Sequence, residues 1–121
     1  MRISYIKAIG GKTDNELINW ANDTVGGKHA SIQNFKDPSL ADSKFLINLL
    51  AAIEPRAVNW DLVLEGGNDD EKMTNAKYAI SIARKLGCTI FCVWEDLVNV
   101  NSKQILLFVA TAMGAQMELS K

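Results

Sequence analysis

Apolar residues recur along this chain at helical intervals, in four runs separated by breakers. In the first, Leu17, Trp20, Ala21 and Thr24, with Val25 beside them, follow the i, i+3, i+4, i+7 spacing of one helix face. Asn15, Asn19, Asn22 and Asp23 fall on the opposite face, and Gly26-Gly27 supplies a stop. The second run begins in "FKDPSLADS". Asp37 is placed to cap it, and Pro38 suits the first helical position, where its missing N–H costs nothing. Leu46, Leu49, Leu50 and Ile53 form a stripe that Phe45 and Ile47 widen, which predicts the most buried helix of the domain. Pro55 ends it, because the residue before a proline avoids helical angles.

"AVNWDLVLEGGNDD" is a connector, with a short turn expected to tuck Trp60, Leu62 and Val63 into the core. A third helix is predicted from Asn68 or Asp69. Its first turn is acidic (Asp69, Asp70, Glu71) and its last basic (Arg84, Lys85), matching the helix dipole at both ends. Met73, Ala76, Ile80 and Ala83 share a face, and Gly87 closes the helix. Cys88 to Val93 has strand propensity. With no second strand to pair with, it is read as an extended buried pass, followed by a one-turn helix around Glu95 to Val98 that carries Leu97. The last helix starts at Asn101 or Ser102 and lines up Ile105, Phe108, Val109, Ala112 and Met113. The expectation is an all-α domain over residues 13–118, of four main helices plus short connecting helices. Residues 1–12 are read as linker and 119–121 as tail. The expected core is Leu17, Trp20, Leu46, Leu49, Leu50, Ile53, Trp60, Ile80, Leu97, Phe108 and Val109.

Composition narrows the function classes. The 121 residues carry a net charge of −1 with 22% charged residues, and the cations are intermixed with acids. A nucleic-acid partner needs a clustered positive footprint, so none is expected. The start, "MRISYIKAIGG", lacks the apolar core of a signal peptide, and no apolar run approaches the ~18 residues that span a bilayer. A soluble cytoplasmic chain without a membrane partner is expected. Two cysteines, Cys88 and Cys92, make neither a disulfide framework nor a metal site, and no histidine accompanies them. They are read as buried thiols acting as small hydrophobes, and His29, the sole histidine, as a loop residue.

One stretch carries a hint of chemistry. Gly11-Lys12-Thr13 matches the end of a phosphate-binding loop, but G-x-x-x-x-G-K-[ST] requires glycine where this chain has Ile6. The plainer reading is a capping box, with Thr13 and Glu16 each satisfying the other's backbone N–H, worth about 1 kcal/mol. "GGNDDEK" likewise lacks the order of a calcium loop. No enzyme activity, cofactor or metal is expected.

Taken together, "DNELINWAND", "SLADSKFLINLLAAIEP", "NAKYAISIARKLG" and "EDLVNVNSKQILLFVATAM" resemble the successive helices of a calponin homology domain, over Asp14 to Met117. "SIQNFKDPSL" and "VNWDLV" look like the fourth such domain of the fimbrin (plastin) group, and "ARKLGCTIF" is closer to its plant or protist branch. One departure is Trp94, which precedes "EDL" where the family usually has proline. The resemblance implies binding of filamentous actin as half of a tandem pair of such domains in a filament-bundling protein of the actin cytoskeleton. It assigns part of the contact to the first helix, with Lys12, Asn15, Glu16, Asn19, Asn22 and Asp23 outward. Actin's surface is acidic and this face offers amides and acids, so weak binding by the domain alone is expected. The alternative is a structural or regulatory domain that packs on the neighbouring calponin homology domain without touching actin.

Overall fold

The computed structural model describes residues 14–90 and 92–119. Lys12 and the Thr13 half of the expected capping box lie outside them. Five α-helices follow in order: α1 (Asp14–Val25), α2 (Lys44–Ile53), α3 (Asp69–Lys85), α4 (Trp94–Val98) and α5 (Ser102–Leu119). Short 3-10 turns at Gly26–Lys28, Pro38–Asp42, Pro55–Ala57 and Trp60–Leu62 connect them. No β-strand forms among the described residues, and none of the helices there is long and apolar enough to cross a membrane.

α2 is the centre of the packing. Phe45, Leu46, Ile47, Leu49 and Leu50 are all fully buried, and α1, α3 and α5 each pack on this helix. α1 contributes Leu17, Ile18, Ala21 and Val25, and α5 contributes Ile105, Phe108 and Val109. Ile80 and Leu97 are also buried, while Trp20 and Ile53 pack against the core half-buried. The Trp20 indole donates its Nε1–H to Gln116 Oε1 at 2.9 Å, tying α1 to α5.

The helix expected from Asp37 to Ile53 is broken. Asp37 does cap its start, accepting the Ser39 N–H at 3.0 Å, and that bond holds its carboxyl below the usual range. But Ser43 adopts φ 61°, ψ 4°, in the left-handed region, and separates a 3-10 turn from α2. One local and one long-range bond brace the break. The Asp42 carbonyl accepts from Asn75 on α3, and the Asp42 carboxylate caps α2 by accepting the Lys44 N–H at 2.9 Å.

The connector also departs from expectation. Trp60 and Leu62 are 49% and 52% exposed, so Trp60 is no core residue and only Val63 packs inward. The connector is held by polar bonds instead. Asn75, fully buried, donates to Leu64 O at 2.9 Å and accepts the Leu64 N–H at 2.9 Å. Asn59 N–H donates to the Tyr78 hydroxyl at 2.8 Å. Gly66 N–H donates to Glu71, whose own N–H is capped by Asn68. A connector running over the helix on these anchors has no depth in which to bury an indole.

α3 ends in a Schellman arrangement: Cys88 N–H reaches Ala83 O at 3.1 Å and Gly87 N–H reaches Arg84 O at 3.0 Å, with Gly87 at φ 92°. Trp94 occupies the first position of α4, the place proline would suit, so the departure from the family pattern leaves the helix start in place.

Candidate functional site

α1 presents Asp14, Asn15, Glu16, Asn19 and Asp23 to solvent because its apolar residues occupy the other face. Asn22, expected outward with them, has a different role. Its Nδ2 donates to Ile32 O and its Oδ1 accepts the Ile32 N–H, both at 2.9 Å. This two-way clasp folds the chain after the Gly26–Lys28 turn back onto α1 and seats Ile32 in the core. An amide so committed has little left to offer a partner. The remaining outward face holds three carboxylates and two amides, with Lys28 exposed beyond its end.

The cations missing from this helix come from elsewhere in the fold. A groove of about 380 Å³ runs beside the start of α1, lined by Asp14, Asn15 and Ile18 on one side and by Lys36, Lys103 and Leu106 on the other. Lys36 arrives because the Asn22 clasp and the Asp37 cap fix its loop. Lys103 arrives because α5 packs on α1. Lys36 and Lys103 therefore line the same groove as Asp14 and Asn15, with Ile18, Phe35 and Leu106 as its apolar members. Sequence reasoning missed both lysines, since neither shares the periodicity of α1 and each lies well away from it along the chain. The only signal available was their charge.

The Cys88 and Cys92 thiols are each pushed up to about 11 by burial, so both stay protonated and poorly nucleophilic near neutral pH. No group of three or more His, Cys, Asp or Glu residues that could hold a metal ion occurs among the described residues. His29 stands edge-on to Phe45, ring centroids 5.7 Å apart.

Comparisons with known proteins agree with this architecture. Residues 11–117 match the model of the calponin homology (CH) domain. The chain is 52% identical to Fimbrin-3 of Arabidopsis thaliana over 103 residues, covering 84% of this chain and 14% of that protein. It is 41% identical to human Plastin-3 over 108 residues, covering 87% of this chain and 17% of that protein. The crystal structure of the actin-crosslinking core of Schizosaccharomyces pombe fimbrin superimposes with a TM-score of 0.84 at 35% identity. That overlap covers 91% of this chain and 24% of the fimbrin core. The chain thus spans a small part of the length of these relatives.

Proposed function

The chain belongs to the calponin homology domain family, and we propose that it is an actin-filament-binding module, one half of a tandem unit in a cytoskeletal, filament-bundling protein. The observation that carries this reading is its superposition, over nearly its whole length, on part of a fimbrin actin-crosslinking core. The similarity to fimbrins and plastins of plants and animals supports the same assignment. The contact surface is the start of α1 and the groove beside it. Asn15 and Asn19 supply exposed amides, and Lys36 and Lys103 supply the positive charge that an acidic filament attracts. Asp14, Glu16 and Asp23 on the same helix oppose that attraction. The domain alone therefore binds weakly, and its neighbour in the tandem provides the larger share of affinity.

Co-sedimentation with filamentous actin at low ionic strength tests this. Wild-type residues 1–121 should pellet partially, and Lys36→Glu with Lys103→Glu should weaken pelleting by about fivefold or more, roughly 1 kcal/mol. Asn15→Lys with Asn19→Lys should strengthen it. Variants that pellet like wild type would remove this surface from the contact, and a wild-type chain that stays in the supernatant would remove direct binding by this half.

A further inference from the structure

Two other surfaces of the domain match each other in charge and polarity. The first is a groove of about 550 Å³ between the C-terminal half of α3 and the segment leading into α4. Lys77, Arg84 and Lys85 line it together with Ile80, Val93 and Trp94, and no carboxylate does. The Lys77 ammonium lies 5.9 Å from the Trp94 ring centroid. Arg84 and Lys85 form no ion pair among the described residues. Val93 is 54% exposed. A cationic rim beside uncovered apolar side chains suits an acidic segment that carries apolar anchors.

The second surface has that composition. Trp60, Leu62 and Leu64 are exposed along the connector, with exposed Asp61 between the first two and, after the last, Glu65, whose exposed carboxylate lies 3.3 Å from the Lys44 ammonium. The exposed carboxylates of Asp69 and Asp70 follow at the start of α3. The strip is already ordered, by Tyr78 at Asn59 and by Asn75 at Leu64. Docking it would therefore cost little conformational entropy. Those same anchors hold it on the Asn75 and Tyr78 flank of α3. No residue of the strip lines the groove, which is formed by α3 from Lys77 to Lys85 and by Cys92, Val93 and Trp94. Complementing the dipole of α3 explains its acidic start and basic end. It does not explain why Trp60, Leu62 and Val93 are left uncovered beside those charges.

We propose that the Trp60–Glu65 strip of one copy docks in the Lys77–Arg84–Trp94 groove of a second copy, as a head-to-tail contact. Asp61 and Glu65 meet the Arg84 and Lys85 side, and the strip's apolar side chains cover Val93 and Trp94. Such a contact is heterologous, so each copy keeps one free groove and one free strip and assembly continues with concentration instead of stopping at a symmetric dimer.

Sedimentation velocity from about 10 µM to about 1 mM protein reads this, a range that covers contacts of modest area. Wild type should show a mass that climbs with concentration and falls back as salt screens the charges. Arg84→Glu with Lys85→Glu disables the groove, Val93→Glu does so independently, and Trp60→Ser with Leu62→Ser disables the strip. Each should weaken self-association at least about tenfold, with the far-UV circular dichroism spectrum confirming the fold. The decisive sample mixes a groove variant with the strip variant. One intact junction remains between them, so a one-to-one heterodimer should form and grow no further. Wild type that stays monomeric at every concentration overturns the proposal, as does a dimer indifferent to these substitutions, and so does a mixture that remains monomeric.

Discussion

Replacing Asn75 by alanine should unfold the connector from α3 and cost the domain much of its stability. Asn75 is fully buried and makes three hydrogen bonds: to Asp42 O at 3.1 Å, to Leu64 O at 2.9 Å, and from Leu64 N–H at 2.9 Å. At about 1 kcal/mol net for each bond, the loss is about 3 kcal/mol. The freed Leu64 N–H and the two carbonyls either stay buried without partners, which adds to the cost, or reach water by letting the connector lift. For 121 residues the whole stability is of order 6–18 kcal/mol, so the substitution removes a substantial share. Equilibrium urea unfolding reads it directly. With a slope near 2 kcal/mol/M, the midpoint should fall by about 1.5 M. Hydrogen exchange supplies the local readout, because the Leu64 amide should lose its protection before the amides of α2 do. Asn75→Asp, nearly the same shape, keeps the acceptor for Leu64 N–H but removes both donors and should be at least as damaging. A midpoint shift below about 0.5 M for Asn75→Ala, or unchanged exchange at Leu64, would refute the claim that this side chain holds the connector.

Two further outcomes follow from the same coordinates. Gly66 sits at φ 81° and an added Cβ would meet the Asp42 Cβ at 2.6 Å, whereas Gly67 has nothing within 4 Å. Gly66→Ala should therefore cost about 1–3 kcal/mol in thermal or urea unfolding and Gly67→Ala about 0.5 kcal/mol or less; equal costs would contradict the geometry. Cys88 and Cys92, with thiols near pH 11, should resist iodoacetamide at pH 8 in the folded protein and react at ordinary rates in urea. Because the folded value exceeds the unfolded one of 9.0, their contribution to stability is complete below pH 9 and is lost as pH rises toward 11. Rapid alkylation of the native protein at pH 8 would show that the thiols are reachable and ionised.

The helices were legible in the sequence because each carries its own local instructions. The apolar stripe of α2, the acid-to-base polarity of α3 and the Gly87 stop act within a few residues of the chain, and the structure has those elements where the periodicity places them. Burial of Leu17, Leu46, Phe108 and Val109 follows from the same periodicity, since a stripe of that width must face the core. Trp60 shows the limit of that logic. Hydrophobicity gave it a place in the core, but it belongs to no periodic face, and the polar anchors at Tyr78 and Asn75 leave its indole exposed.

What only the tertiary structure decided concerns polar side chains. Asn22 reads as one more outward amide until Ile32, ten residues on, proves to be its partner. The carbonyl before the break at Ser43 is held by Asn75, which reaches Asp42 across 33 positions of the chain. The lysines that stand beside α1 come from a loop and from the last helix. Hydrophobic burial is non-directional and averages over a face, so a linear pattern can announce it. A hydrogen bond or a charged pair needs two particular groups within about 3 Å, and which groups meet is settled only when the helices have packed.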